Sequence, residues 1–338
     1  MTSASTPFAA SAPVRLDFAG GWTDVPPFSC DEGGVVVAAA LGLRVHAELR
    51  PLASTEHVQL RLVSDDLGES AAAPSPDALP TTGPLALIAA AVRRCPPTGG
   101  AELRTRSDVP PGSGLGSSGA LDVAVLRALL GPGGAPCEPR DLAHLAWQVE
   151  AGDAGIPGGK QDQYIAALGG FQELRFRDPQ VVAAPLRVDP AVRDGLAAAM
   201  LLCYTGRSRM SGDTIARVIA AYERRAPEVT RALFGIREGA ERMAEAVVAG
   251  DLARVGALLD GNWHWQQALD PAMCTAEMAA LERAVRAAGG LGGKAAGAGA
   301  GGCMFFVTAD PAQAAAAARA AGATVLPVTW SSDGVIPC

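Results

Sequence analysis

The chain has 338 residues, 49% of them hydrophobic, enough for two domains with proper cores or one large one. Its formal net charge of −7 excludes a nucleic-acid binder that works by neutralising phosphates. The longest apolar runs, around 35–43 and 85–92, are core-sized and fall well short of a membrane-spanning helix. The Ser-rich start lacks a basic segment followed by an apolar one, so no secretory leader is expected. Seven dispersed cysteines without a Cys-x-x-Cys pair point to reduced thiols in a cytoplasmic protein and away from structural zinc. Only two lysines occur, Lys160 and Lys294, each after Gly-Gly, among 26 arginines. Either chance left them, or a compact ammonium is needed where a planar guanidinium will not serve.

In chain order, 14–18 alternates as a strand and ends in the Gly20-Gly21 turn. Strand or mixed patterns follow at 34–41 and 43–50, then an alternating strand at 58–63. Residues 70–84, rich in Pro, Ala and Ser, read as a surface loop, and 85–94 as a helix. Residues 101–109 alternate as a half-buried strand. A glycine-rich loop and an apolar helix to 130 come next. Helices are predicted at 139–151 and 161–168, and strands at 171–177, 181–188 and 198–204. The second half holds helices at 213–223, 227–249, 252–259 and 275–288. An alanine-rich helix then starts at Asp310-Pro311, and a last strand covers 324–329. A composition shift near 184–190 sets the expected boundary between domains 1–186 and 187–338, both α+β.

The loop reads Asp108-Val-Pro-Pro111-Gly112-Ser113-Gly114-Leu115-Gly116-Ser117-Ser118-Gly119. Its glycines let the backbone turn so that N–H groups converge on an anion, and the helix behind adds free N–H groups and its positive dipole end. Ser117 and Ser118 supply hydroxyls where a phosphate-bound cation would sit. A Walker A loop is excluded because no lysine lies in it. Residues 114–119 formally match G-x-G-x-x-G, but the preceding strand alternates, whereas a dinucleotide fold needs one buried on both faces. A flexible loop and a phosphate loop of another design remain.

Three further segments break the pattern of core and surface. In the first, Arg15 and Asp17 share one strand face, and Asp24 follows Trp22 after the glycine turn. A carboxylate beside an indole grips sugar hydroxyls; a solvated turn aspartate is the alternative. In the second, Glu150 ends a helix, and Lys160 and Asp162 follow a glycine break. Such a set either holds a metal ion and deprotonates a hydroxyl or forms an ordinary ion pair. In the third, glycines crowd between Lys294 and Cys303 before an apolar strand, allowing two backbones, or a backbone and a ligand, to approach closely.

In this order and at these distances, the loop and these segments resemble the motifs of the GHMP kinase superfamily. Pro111 to Ser118 is similar to its second, phosphate-binding motif and Lys294 to Cys303 to its third, with similarity spanning 12–329. Within the superfamily the chain resembles the sugar 1-kinases. Gly20-Gly-Trp-Thr-Asp-Val-Pro-Pro27 is most like the fucokinase domain. Gly159-Lys-Gln-Asp-Gln-Tyr164 and Tyr204-Thr-Gly-Arg-Ser-Arg209 are more like the D-glycero-D-manno-heptose 7-phosphate kinases, which usually have glycine where Trp22 stands.

The resemblance implies a two-domain α+β fold, with a ribosomal-protein-like N-terminal domain and a ferredoxin-like C-terminal domain. It implies ATP held by Pro111 to Ser118, Mg²⁺ held by Ser118 and Glu150, and Asp162 as base or orienting carboxylate. Arg15 would neutralise charge on the transferred phosphoryl group. Trp22, Asp24, Lys160, Tyr204, Arg207, Arg209, Gly299 and Ala300 would contact the substrate. Arg207 and Arg209 suit a phosphate already on the sugar; surface arginines are the alternative. Closure of residues 294–302 would exclude water. The expected partner is a small sugar or sugar phosphate bound by a monomer or homodimer, with no nucleic acid and no membrane. A catalytically silent sugar- and ATP-binding sensor is the rival reading.

Overall fold

The structure, a computed structural model, describes residues 7–53, 58–131, 138–207 and 212–338. The chain opens with strand β1 (Phe8–Ala19), a short helix α1 (Phe28–Asp31) and a long strand β2 (Gly34–Pro51). The two runs expected at 34–41 and 43–50 are therefore one strand. Gly42 lets it pass, since a side chain there would overlap Thr329. The first half of β2 pairs with β6 (Phe171–Arg177) and its second half with β5 (Ala101–Ser107), while β1 runs antiparallel along both. Strand β3 (Leu60–Ser64) joins β5 in parallel, β4 (Glu69–Ala73) forms the far edge, and β7 (Gln180–Pro185) pairs with β6. Strand β4 occupies the start of the segment expected as loop. Its alanines carry no strong strand signal, and pairing with β3 supplies the order.

Helices α2 (Ala86–Arg94), α3 (Ser117–Leu130), α4 (Pro139–Trp147) and α5 (Gln161–Leu168) accompany this sheet. The residues facing inward from β1, β2 and α3 form one continuous core. Strand β5 alternates buried and exposed positions, as its sequence predicts.

After helix α6 (Pro190–Ala199), strand β8 (Met200–Tyr204) begins a second, antiparallel sheet of order β11-β8-β10-β9. Its other strands are β9 (Gly290–Ala295), β10 (Cys303–Thr308) and β11 (Thr324–Leu326). The helices of this half are α7 (Gly212–Glu223), α8 (Pro227–Ala249), α9 (Leu252–Leu269), α10 (Ala276–Ala287) and α11 (Pro311–Ala320). Helix α9 runs ten residues beyond its predicted end at 259. A glycine in a helix interior costs about 1 kcal/mol, and burial of Asn262, Trp263 and Gln266 outweighs it at Gly261. The predicted start of α11 holds: the Asp310 carboxylate accepts from the Gln313 amide at 3.0 Å.

A domain boundary at 186/187 does not describe the end of the chain. Strand β12 (Ile336–Pro337) pairs with β1, Trp330 bridges Leu41, and the Trp330 ring lies 4.9 Å from Phe171 and 6.0 Å from Phe18. The tail returns because Trp330 covers the outer end of the first core. The core is also shared, since Leu196, Leu202, Met243 and Val247 pack into the same cluster as β1 and β2.

Candidate active site

The glycine loop sits between β5 and α3, with Gly112, Gly114 and Gly116 all at positive φ. That is the conformation for which glycine alone is unstrained, and Gly116 turns the chain directly into the first turn of α3. The first N–H groups of a helix have no intrahelical partner, and such a turn favours an anion.

The loop does not stand free. The Ser113 carbonyl accepts from Cys303 N at 2.7 Å, and the Gly114 and Leu115 carbonyls accept from the Arg15 side chain and backbone at 2.7 and 2.9 Å. The loop between β9 and β10 lies directly on it. A Cβ on Gly297 would fall 2.6 Å from the Gly114 carbonyl, and one on Gly302 2.6 Å from that of Ser113. The third motif's glycines thus serve an approach of two backbones. Further bonds hold this loop: Ala300 N donates to Met273, Gly302 N to the Arg207 carbonyl, and the Gln266 amide to Gly297. These contacts dock it onto the first loop.

Asp162 lies in the first turn of α5 and reaches the mouth of the glycine loop because α5 packs tightly on α3. A Cβ on Gly119 would sit 2.7 Å from that of Asp162. Arg15, on β1, donates from Nε to Asp162 at 2.8 Å and from Nη1 to the Gly114 and Ala296 carbonyls. These acceptors make Arg15 the strut that joins the glycine loop, the third motif and Asp162. This bonding is additional to the expected neutralisation of transferred phosphoryl charge.

Asp24 is buried and accepts from the Gln161 backbone amide at 3.0 Å, so it caps the N-terminus of α5 from outside the helix. Burial, opposed by that hydrogen bond and reinforced by the nearby carboxylates of Asp162 and Asp17, raises its pKa to about 6. Trp22 is buried at positive φ and packs among Phe28, Ile215, Tyr222 and Met273. Its ring is thus spent on the core, and its indole N–H has no protein partner.

Glu150 lies in a π-helical segment, Gln148–Asp153, that continues α4, where the sequence predicts an α-helical end. The wider turn aims the carboxylate inward, a common use of such segments at functional sites. Glu150 accepts from the Gln163 amide, and burial with the nearby Asp162 charge pushes its pKa up to about 7 against the lowering effect of Ser118 and Gln163. Asp122, one turn along α3 from Ser118, is fully buried, and neither carboxylate oxygen has a protein partner. Burial first, and the Glu150 charge second, raise its pKa well above the usual carboxylate range. Among the described residues no three acidic, histidine or cysteine side chains converge tightly enough to hold an ion alone. A Mg²⁺ ion fits this place because it keeps waters and phosphate oxygens and asks few protein ligands.

Several expected substrate residues are engaged elsewhere. Lys160 is buried, paired with Asp178 and seated 4.3 Å over the Trp147 ring, so it anchors the start of α5. Lys294 is buried and donates to the Asp17 carboxylate and carbonyl, both at 2.8 Å, which ties β9 to β1. Tyr204 lies at the end of β8, paired with Cys303 and Thr324. Arg207 forms an exposed ion pair with Glu277, while its carbonyl fixes Gly302. Arg209 lies outside the described residues. Gly299 and Ala300 form the tip of the third-motif loop, both at positive φ.

Residues 85–170 match the GHMP kinases N terminal domain, and residues 243–326 the GHMP kinases C terminal domain. The chain belongs to the GHMP kinase family. This GHMP kinase is 30% identical over 308 residues to the D-glycero-alpha-D-manno-heptose 7-phosphate kinase of Campylobacter jejuni, a match covering 88% of each chain. It is 27% identical over 277 residues to the bifunctional fucokinase/GDP-fucose pyrophosphorylase of Arabidopsis thaliana, covering 77% of this chain but only 26% of that longer protein. In structure it is similar to a D-glycero-D-manno-heptose 1-phosphate kinase from Bacteroides thetaiotaomicron (TM-score 0.78, 25% identity, 98% of each chain). The galactokinase of Lactococcus lactis, solved with galactose, shares the fold (TM-score 0.77, 19% identity, 98% of this chain and 95% of that one).

Asp122, Gln161, Gln163 and Gln266 join the site of this GHMP kinase without having been individually expected there. Gln161 and Gln163 lie within the Gly159–Tyr164 segment, and Asp122 carries a signal of its own as the one acid in an otherwise apolar helical run from 120 to 126.

Proposed function

We propose that this GHMP kinase transfers the γ-phosphoryl group of ATP to the anomeric hydroxyl of a hexose or heptose. D-glycero-D-manno-heptose 7-phosphate is the leading substrate, and a fucose-like sugar the next. The observation that carries the reading is the Arg15–Asp162 pair at the mouth of the glycine loop, with Asp24 fastened to the residue preceding Asp162. A paired carboxylate beside a glycine loop supports transfer from a backbone-held phosphate to an acceptor hydroxyl.

Phosphoryl transfer asks the protein mainly for positioning and charge stabilisation. In this reading the N–H groups from Gly112 to Ser118 hold the ATP phosphates. Ser118 and Glu150 hold Mg²⁺, which when bound offsets phosphate charge. Asp162 accepts or orients the acceptor hydroxyl's proton, and the Arg15 charge fixes that carboxylate. Asp24 and the partnerless indole N–H of Trp22 are the groups that recognise sugar hydroxyls. The closeness of the heptose 7-phosphate kinase relative supports the sugar, and the fit of Asp162, Glu150, Ser118 and Arg15 to one site supports catalysis over silent sensing.

The test is ATP consumption with a panel of free and phosphorylated hexoses and heptoses. Turnover with a sugar, giving an anomeric phosphate, supports the reading. ATP binding without turnover on any sugar would favour the sensor.

A further inference from the structure

We infer that Asp122 is a further acidic member of the divalent-cation site, lying behind Ser118 and Glu150 and holding the ion through its water. Asp122 follows Ser118 by four residues in α3, so the two side chains share one helix face. Helix α3 packs against the Gln148–Asp153 segment that carries Glu150, close enough for the Glu150 charge to act on Asp122.

The hydrogen-bond accounting around them is incomplete. Both Asp122 oxygens and the Gln163 side-chain oxygen are buried without protein partners, while the Gln163 amide bonds Glu150. These are three acceptor oxygens with no donor around one glutamate. A buried carboxylate with no hydrogen bond is among the costliest groups a core can hold. A leucine or threonine in α3 would fill the space without that cost. A hydrated divalent cation beside Glu150 supplies both the positive charge and the water hydrogens that these oxygens lack.

The inference rests on the proposed role of Ser118 and Glu150, and the experiment separates the two. Mn²⁺ is titrated into the full-length protein without nucleotide and followed by electron paramagnetic resonance, with melting temperature recorded with and without Mn²⁺. Wild type, Glu150→Gln, Asp122→Asn and Asp122→Thr are compared. Wild type is expected to bind Mn²⁺ and gain thermal stability from it. Both Asp122 variants are expected to bind it at least tenfold more weakly while melting higher than wild type in its absence. This opposite movement is the signature of a charge kept for a ligand. Wild-type Mn²⁺ affinity in both Asp122 variants would overturn the inference and leave Asp122 a neutral core acid. Absence of Mn²⁺ binding by wild type, or its retention in Glu150→Gln, would instead overturn the cation role of Ser118 and Glu150 on which it rests.

Discussion

Arg15 and Asp162, 147 positions apart, meet in a 2.8 Å ion pair at the edge of the glycine loop. Arg15 is almost fully buried, and Asp162 keeps a quarter of its side chain exposed. Asp162→Asn preserves shape and removes the base. It should lower kcat by about 10²–10⁴-fold, the usual worth of a positioned general base, with ATP affinity changed little. Rapid-quench or steady-state kinetics with an ATP-binding titration checks this; near-normal kcat removes Asp162 from catalysis.

Gly297 has no positive φ, so Gly297→Ala isolates the steric effect of its close approach to the Gly114 carbonyl. The added methyl must push the two motif loops apart, at about 1–3 kcal/mol for an overpacked contact. A rise in the KM for ATP should accompany a lower melting temperature. Unchanged values of both would show that the two loops need not touch.

Asp24 gives a signed pH dependence of stability. Its pKa lies near 6 in the folded protein against an ordinary 3.8, so the folded state holds the proton more tightly. The stability this contributes is complete at acid pH and is lost as pH rises from about 4 through 6. Asp24→Asn should therefore flatten the decline in melting temperature across that window. An unaltered slope would mean that Asp24 ionises there without cost.

The tail is predicted to be part of the first core. Trp330→Ala removes ring contacts with Phe18 and Phe171 and a 2.9 Å hydrogen bond to the Arg193 carbonyl. The cost should be about 2 kcal/mol, below the range for a fully buried tryptophan because Trp330 is half-buried. Urea denaturation measures it, and a loss near zero would return the tail to the periphery.

What the sequence made legible was local. The glycines at 112, 114 and 116 announced a left-handed turn, the alternation of 101–107 a half-buried strand, and Asp310-Pro311 a helix start, and each is a property of neighbouring residues. The motif order made the family legible as well. What stayed hidden depends on long-range pairing. No local pattern shows that Asp178 and Trp147 engage Lys160, or that Arg15 bonds three protein acceptors. A boundary drawn from composition could not foresee a tail that returns to pair with β1, because a two-residue strand has no periodicity to read.

Phosphoryl transfer to an anomeric hydroxyl is read out by phosphorus-31 NMR of the product. Incubation with ATP, Mg²⁺ and D-glycero-D-manno-heptose 7-phosphate, alongside free L-fucose and galactose, should yield ADP and a new phosphate resonance coupled to an anomeric proton for at least one sugar. ADP formation with phosphate on a non-anomeric carbon, or ATP left intact with every sugar while still bound by the protein, would rule out an anomeric kinase.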